Sequence, residues 1–213
     1  MNKNEIYAVA IIPAKTDSVR LPKKNLQVIS GKTLLEHSIE YALKSKHIKH
    51  VIVSTESDEV KQICDSYFDN ELHNTIGAQC INVYGRPIHL LKDAEVAEVY
   101  IDIFQNQFDE NGEQLIPKYT THVVGIQPDH PDRTVPIDEM LEYFVENTYD
   151  DLFTVDPDGT RNGSVRIVKA QYVTDGTMSK RVGSMLDDCT NIHTKNDLLN
   201  AETNINEQLH TKS

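Results

Sequence analysis

The sequence predicts an α/β fold in which a mostly parallel sheet carries helices on both faces. Short apolar runs rich in β-branched residues alternate along the chain with amphipathic segments of helical period, and this alternation is typical of βαβ units. Polar and charged motifs follow directly after several of the apolar runs. Because folds of this class bind ligands outside the carboxyl ends of their strands, we expect a site among those motifs.

The first apolar run, residues 9–12, predicts a strand that is buried on both faces and ends at Pro13. The loop that follows is rich in cations and small hydroxyl side chains. Its members are Lys15, Thr16, Ser18, Arg20, Lys23 and Lys24. Charge alone leaves two interpretations open: a binding site for a local anion such as a nucleotide triphosphate, and an ordinary solvated surface turn.

A helix and a second strand complete the first βαβ unit. Residues 33–45 place their apolar side chains on one helical face. Thr33 and Glu36 form a capping box that marks the start of this helix. The apolar run at residues 50–54 is the second predicted strand.

The rest of the chain continues the alternation up to a second capping box, formed by Thr194 and Asp197. Further helices are predicted over residues 57–68, 94–108, 137–148 and 194 to about 202, and further strands over residues 78–83, 122–126, 152–155 and 165–169. We expect the polar tail, residues 204–213, to be disordered. The chain is therefore interpreted as one domain over residues 1–203 followed by a short tail.

The overall charge favours a small partner. The chain carries 33 acidic against 21 basic side chains, a formal net charge of −12, which disfavours binding to nucleic acid. No apolar run approaches the ~20 residues that span a bilayer, and the stretch near the start is too short for a secretory signal. We expect a cytoplasmic protein without membrane contact. Cys64, Cys80 and Cys189 lack a paired spacing, which predicts buried thiols rather than disulfides or a zinc site.

The order of motifs along the chain resembles the cytidylyltransferases that activate acidic sugars, above all the acylneuraminate cytidylyltransferase family. No single motif is specific, but their collinear order over nearly the whole chain is. The matching segments are Ile11-Ile12-Pro13-Ala14-Lys15, Leu21-Pro22-Lys23-Lys24-Asn25, Gly31-Lys32-Thr33-Leu34-Leu35, Val53-Ser54-Thr55-Glu56-Ser57, Arg86-Pro87 with Asp93, Gln127-Pro128 with Pro131 and Arg133, and Ser179-Lys180-Arg181-Val182-Gly183. The resemblance implies a single-domain, Rossmann-like nucleotidyltransferase fold.

The resemblance also implies a reaction in which an acidic acceptor attacks the α-phosphate of CTP and pyrophosphate leaves. Fixed cations and Mg²⁺ would meet the charge on the phosphate oxygens. The acceptor would be a sugar acid, a phosphonate or a phosphorylated compound. By carry-over the catalytic positions are Lys15, Lys24, Gln127 and His130, and the nucleotide-binding positions are Ala14, Ser18, Arg20, Asn25 and Arg86. Gln127 would face the acceptor, Arg20 would contact phosphate or brace its loop, and His130 would bind the acceptor or act as general base.

Two departures from the family pattern lie in the cationic loop. Lys15 stands where the family usually has Arg, which keeps the charge but loses the bidentate fork. Asp17 stands where the family has Gly. Its carboxylate would repel a triphosphate unless a metal or a neighbouring cation neutralises it, and the alternative is a turn-capping side chain that points outward.

The expected metal motif is also changed. Asn191-Ile192-His193-Thr194 stands where the family has Asp-x-Asp-Thr, whose carboxylates hold Mg²⁺. Gln127-Pro128-Asp129-His130-Pro131 resembles the Gln-Gly-Asp-x-Pro segment of ketodeoxyoctulosonate cytidylyltransferases, whose Asp is a metal ligand. The resemblance thus implies Asp129, His193 and Asn191 as ligands of Mg²⁺, or of Mn²⁺ in its place. The alternative for His193 is a loop histidine bonded to backbone.

The passage from Asp150 to Asn162 is too short for the insertion that forms a dimerisation arm in the sialic-acid-activating enzymes. A homodimer of this chain would therefore lack the usual arm. Three hypotheses follow from the sequence: a CTP-dependent enzyme, a degenerate member that binds nucleotide or a partner protein without turnover, and an unrelated doubly wound enzyme with a coincidental basic loop.

Overall fold

The computed structural model describes residues 5–18, 20–68, 80–91, 95–106, 108, 112, 115–175 and 181–211. The side chains of Phe68 and Thr174 lie outside this description. The strands are β1 (Ala8–Pro13), β2 (Val28–Ile29), β3 (Lys32–Thr33), β4 (Ile48–Thr55), β5 (Cys80–Gly85), β6 (His122–Ile126), β7 (Asp151–Val155), β8 (Arg161–Lys169) and β9 (Val182–Leu186). The helices are α1 (Leu34–Leu43), α2 (Asp58–Phe68), α3 (Val96–Asn106), α4 (Ile137–Glu146), α5 (Ala170–Asp175) and α6 (Lys195–Thr211).

In the described part of the chain, seven strands form one sheet in the order β5-β4-β1-β6-β8-β7-β9. The neighbours from β5 to β6 are parallel, and β7 is parallel to β9. β8 runs antiparallel to both of its neighbours. The mostly parallel α/β fold is confirmed, whereas the reversed direction of β8 was not predicted, because the apolar pattern of a strand does not encode its direction.

The central strand β1 is covered on both faces, and its side chains alternate between two cores. Ala10 and Ile12 pack into the core formed with α1, α2 and α4. Val9 and Ile11 pack on the other side, against α3 and α5. All four side chains are fully buried, so the prediction of helices on both faces is confirmed. None of the helices in the described residues is long and apolar enough to cross a membrane.

Both predicted capping boxes are present. At the start of α1, the Glu36 amide donates to Thr33 Oγ1 at 3.2 Å and the Thr33 amide donates to Glu36 Oε2 at 2.7 Å. At the start of α6, the Asp197 amide donates to Thr194 Oγ1 at 3.3 Å and the Thr194 amide donates to Asp197 Oδ2 at 2.7 Å. These bonds satisfy amides that a helix start leaves without intrahelical partners.

The prediction that the last helix ends near residue 202 and leaves a disordered tail is wrong. α6 continues to Thr211. Two of its polar side chains reach Asp132, since Asn204 donates to the carboxylate at 2.8 Å and Gln208 donates to the backbone carbonyl at 3.0 Å. Ile205 packs against the small core at the hairpin of β2 and β3. These tertiary contacts fix a segment whose polar composition predicted disorder.

Other differences concern strand ends and cysteines. β9 was not predicted, because its outer side chains, Val182 and Leu186, are half exposed and its pattern is weak. β5 begins at Cys80, and residues 78 and 79 lie outside the described residues. The prediction of buried thiols is confirmed for Cys64 and Cys189 and wrong for Cys80, which is exposed. β7 and β8 form a hairpin, so the short passage predicted at this point is a tight turn.

The topology brings the predicted site loops to one edge of the sheet. β1 lies between β4 and β6 and is parallel to both. The loops after these three strands therefore leave from the same edge, which is where α/β sheets bind ligands. The 3-10 turn at Lys24–Leu26 ends the cationic loop at this edge.

Candidate functional site

The backbone of the loop after β1 is held against the end of β4. The Ala14 amide donates to the Ser54 carbonyl at 2.9 Å, and Thr55 Oγ1 donates to the Ala14 carbonyl at 2.9 Å. Asn25, which is buried, closes the loop by donating its side-chain amide to the Lys15 carbonyl at 2.7 Å. Ala14 and Asn25, both predicted to bind nucleotide, thus shape the loop.

Glu56 anchors the next residue of the loop. The Thr16 amide and hydroxyl both donate to Glu56 Oε1, each at 2.7 Å. Burial alone would raise the pKa of Glu56, but the bonds from Thr16 and the positive charge of Arg86 outweigh it and hold the pKa below its usual range. Arg86 itself is buried and donates to the hydroxyl and the carbonyl of Ser54, both at 3.2 Å. Arg86 therefore braces the end of β4.

Lys15 and Asp17 form an ion pair within the cationic loop. Lys15 Nζ lies 3.3 Å from Asp17 Oδ1 and donates to the Leu91 carbonyl at 3.2 Å. Both side chains keep more than a third of their exposure. Of the two interpretations of Asp17, neutralisation by a neighbouring cation fits this geometry. Among the described residues of this loop, Lys23 adopts the left-handed backbone conformation, with φ of 50°, and Asp17 does not.

Lys24 connects the cationic loop to the loop after β6. Its ammonium lies 2.5 Å from Asp129 Oδ2 and donates to the Ile192 carbonyl at 3.2 Å. The other oxygen, Asp129 Oδ1, is 3.0 Å from His130 Nδ1. The Ile192 amide donates to the Asp129 carbonyl at 2.9 Å, so the loop before α6 joins the same network. Three loops distant in sequence therefore meet at Asp129, through its carboxylate and its backbone carbonyl.

The contacts of Asp129 favour its ionised form and place a proton on His130 Nδ1. Burial alone would raise the pKa of Asp129, but the hydrogen bond and charge of His130 and the charge of Lys24 hold the pKa well below its usual range. Because an ionised carboxylate only accepts hydrogen bonds, His130 Nδ1 carries the proton. His130 is 1% exposed, and its Nε2 has no partner among the described residues.

Arg20 and His193 pair at the outer end of this network. Arg20 Nη1 lies 3.3 Å from His193 Nδ1, and since arginine only donates, that nitrogen accepts. The His193 amide donates to Asp197 Oδ2 at 2.9 Å, within the capping box of α6. Asn191 is exposed, and Ser18 lies half-buried in the cationic loop. His193 thus contacts a cationic side chain, which differs from both roles predicted for it.

Gln127 is fixed through its backbone by neighbouring elements. Its amide donates to the Ser164 carbonyl at 3.1 Å, and its carbonyl accepts a hydrogen bond from the guanidinium of Arg133. A side chain at Gly163, where φ is +80°, would place its Cβ 3.2 Å from the side-chain nitrogen Nε2 of Gln127. Glycine at this position leaves room for the Gln127 side chain beside β8.

The described residues do not fit a protein-bound Mg²⁺ or Mn²⁺. Mg²⁺ needs oxygen ligands in near-octahedral geometry, and no group of three or more His, Cys, Asp or Glu side chains in the described part of the chain is placed to hold a metal. Both carboxylate oxygens of Asp129 already contact the N–H groups of Lys24 and His130. His193 Nδ1 contacts Arg20.

The structure brings together most of the predicted site residues in two adjoining networks. The first contains Lys15, Ala14, Asn25 and Arg86, and the second contains Lys24, Arg20, Asp129, His130 and His193. The roles of Thr16 and Glu56 were missed. The position of Glu56, directly after a buried strand in the Val53-Ser54-Thr55-Glu56-Ser57 motif, is the signal that indicates it. Asp93, Ser179 and Lys180, named in the predicted motifs, lie outside the described residues.

The chain is an α/β protein whose mostly parallel sheet carries a cationic loop at its carboxyl edge, where folds of this class bind ligands. The chain belongs to the cytidylyltransferase family, whose model matches residues 9–209. The resemblance predicted from the collinear motifs is confirmed. The hypothesis of an unrelated doubly wound enzyme is thereby rejected.

Individual relatives match parts of the chain. A CMP-N,N'-diacetyllegionaminic acid synthase of Legionella pneumophila is 39% identical over 59 residues, 28% of this chain and 25% of that protein. An N-acylneuraminate cytidylyltransferase of Streptococcus agalactiae is 25% identical over 146 residues, 68% of this chain and 30% of that protein. The chain thus spans a quarter to a third of the length of these relatives.

A solved structure matches the fold over nearly the whole chain. It is a CMP:2-keto-3-deoxy-manno-octonic acid synthetase complexed with CTP, with a TM-score of 0.66 at 14% identity. The match covers 95% of this chain and 99% of that chain. The single-domain, Rossmann-like nucleotidyltransferase fold predicted from the motifs is confirmed.

Proposed function

We propose that the chain transfers CMP from CTP to a small acidic acceptor and releases pyrophosphate. The observation that carries this proposal is the concentration of Lys15, Arg20 and Lys24 at the carboxyl edge of the sheet, in a chain with a net charge of −12. A local cluster of cations on an acidic protein favours a compact anion such as a triphosphate. Membership of the cytidylyltransferase family supports CTP as its source.

The acceptor class is proposed from the relatives. Their names refer to a legionaminic acid, an N-acylneuraminate and a 3-deoxy-manno-octulosonate, all of them acidic sugars. The hairpin of β7 and β8 replaces the insertion that would enclose a large sugar. We therefore keep phosphonates and phosphorylated compounds beside sugar acids as candidate acceptors.

The proposed step is a displacement at the α-phosphorus. An acceptor oxygen forms the new bond while the bond to the bridging oxygen breaks, and pyrophosphate leaves with that oxygen and its electron pair. Lys15 and Lys24 would donate to the phosphate oxygens as charge develops there. Lys24 would direct its third N–H at phosphate while it keeps its contacts with Asp129 and the Ile192 carbonyl. Ser18 and Arg20 would add further donors, while Ala14, Asn25 and Arg86 would keep the loop in shape.

His130 and Gln127 are proposed to act beside the phosphates. His130 directs its Nδ1 proton at Asp129 and is almost fully buried. This geometry supports a role for His130 in positioning the Asp129 carboxylate, rather than its predicted role as general base. Gln127 would face the acceptor, since its side chain lies against Gly163, near the first residues of β8. A proton released by a hydroxyl acceptor would pass to solvent.

Three further expectations stay predictions. Mg²⁺ or Mn²⁺ is implied by the resemblance alone, because the described donors do not fit it. A homodimer that lacks the usual arm is the second expectation, and a measurement of molecular mass in solution tests it. A cytoplasmic location is the third expectation, since CTP is the proposed substrate.

Nucleotide binding without turnover is a second candidate function. The contact between Lys15 and Asp17 favours it, because the carboxylate of Asp17 cancels one of the cations that would stabilise the transition state. The two functions share the first step and differ only in whether pyrophosphate is released.

The test measures pyrophosphate release from CTP with a panel of sugar acids, phosphonates and phosphorylated alcohols. We expect release that depends on both CTP and one acceptor class, with ATP, GTP and UTP as matched nucleotide controls. A thermal shift with CTP but no release with any acceptor would establish the second function. Neither a shift nor release would contradict both.

A further inference from the structure

We propose that Lys24 and Arg20 take the place of a protein-bound divalent cation, so that this chain binds the triphosphate of CTP without a metal bridge. The inference rests on the proposed function, because it presumes that CTP is the ligand. It concerns how the negative charge of that ligand is balanced.

The first observation is the contact of Lys24 with Asp129. The ammonium lies 2.5 Å from one carboxylate oxygen, and the two side chains keep only 17% and 15% of their exposure. His130 Nδ1 contacts the other oxygen at 3.0 Å. A divalent cation could bind Asp129 only after Lys24 withdrew, and it would then lie next to a second positive charge.

The second observation is that the other predicted ligands offer no replacement. His193 Nδ1 accepts from Arg20 at 3.3 Å. Asn191 supplies only a neutral amide, whereas Mg²⁺ prefers charged oxygen ligands and retains several waters. At Asp129 and at His193 alike, the group that would face a metal faces a cationic side chain.

The third observation is the anchoring that keeps these cations at the edge of the sheet. Lys24 also donates to the Ile192 carbonyl at 3.2 Å, and the Ile192 amide bonds the Asp129 carbonyl at 2.9 Å. Lys24 therefore spans the loops after β1 and β6 and the loop before α6. An ammonium held at this junction is close to the phosphates of any nucleotide bound on the cationic loop.

The test compares the affinity for CTP by isothermal titration calorimetry in EDTA and in millimolar Mg²⁺. We expect the wild-type affinity in EDTA to stay within about threefold of that in Mg²⁺. The matched variant carries Asn191→Asp and His193→Asp together, which installs two carboxylates at the same edge. Its affinity in EDTA should fall at least about tenfold and recover in Mg²⁺.

A second measurement does not depend on the variant folding. Titration of the wild-type protein with Mn²⁺ alone, followed by electron paramagnetic resonance of free Mn²⁺, should show no binding at millimolar concentration. Wild-type CTP binding that weakens more than about tenfold in EDTA, or Mn²⁺ binding without nucleotide, would overturn the inference and leave the proposed function standing. Absence of CTP binding in both buffers would contradict the proposed function itself.

Discussion

The loop after β6 carries two buried networks that differ in the kind of partner they use. Arg133 directs its guanidinium at neutral oxygens: the hydroxyl of Ser164 at 2.9 Å, the hydroxyl of Ser38 at 3.3 Å and the carbonyl of Gln127. Its carbon Cζ also lies 5.0 Å from the centre of the Tyr41 ring. These partners come from three separate elements and surround the side chain, so the network is a fixed brace.

Asp129, four residues earlier, pairs charge with charge at the edge of the site. A lysine ammonium makes a single contact with its carboxylate and has no planar fork to fix its direction. The ammonium can therefore turn a remaining N–H toward a second anion, whereas the guanidinium of Arg133 cannot leave its oxygens without leaving them unpaired in the interior. The loop after β6 thus provides a rigid brace and a carboxylate that holds a cation of the neighbouring loop at the site.

The largest expected effect is on the free energy of unfolding of Arg133→Met. Methionine keeps most of the volume but leaves Ser164, Ser38 and the Gln127 carbonyl without their buried donor, which should cost about 3 kcal/mol. Urea denaturation measures the loss. A matched control is Lys46→Met, which removes an exposed cation paired with Glu142 and should leave the stability close to that of the wild type. Equal stability of the two variants would contradict the view of Arg133 as a brace.

The next effect is on ligand affinity and concerns Lys24→Ala. Loss of a direct charge-assisted phosphate contact should weaken CTP binding by about 1.5–3 kcal/mol, measured by calorimetry. The cost to stability should be about 2 kcal/mol, because the mostly buried Asp129 carboxylate keeps only its contact with His130. Lys23→Ala is the matched control, since Lys23 pairs with exposed Glu59 at 2.6 Å outside the network. Unchanged CTP affinity in Lys24→Ala would remove this residue from the binding site.

The smallest effect is a pH dependence that separates the two networks. The pKa of Asp129 is depressed in the folded protein, so its stabilisation is fully present above its unfolded pKa near 4, falls progressively below that pH, and is gone once the pH has passed below the folded value. Between pH 6 and pH 3, Asp129→Asn should therefore lose less stability than the wild type, by about 1 kcal/mol. Arg133→Met should keep the wild-type slope, because none of the oxygens that accept from Arg133 titrates. The same slope in all three proteins would mean that Asp129 is not held ionised by its contacts.

Prediction of the fold from sequence succeeded where the signal is local. The alternation of apolar runs and amphipathic segments, together with the capping boxes at Thr33 and Thr194, predicted most of the helices and strands. It failed at α6 beyond residue 202, where the helix depends on contacts with Asp132. Helices gain most of their stability from tertiary packing, so a polar helix end carries no reliable local signal.

By itself the sequence determined the class of fold, the cationic loop after the first strand and membership of the cytidylyltransferase family, because each depends on neighbouring residues or on the order of motifs. Only the tertiary structure decided the partners within the site. Lys24 and Asp129 are 105 residues apart in the chain, and Arg20 and His193 are 173 apart. Local patterns specify helices and strands, but which charges face each other depends on how the sheet brings distant loops to one edge.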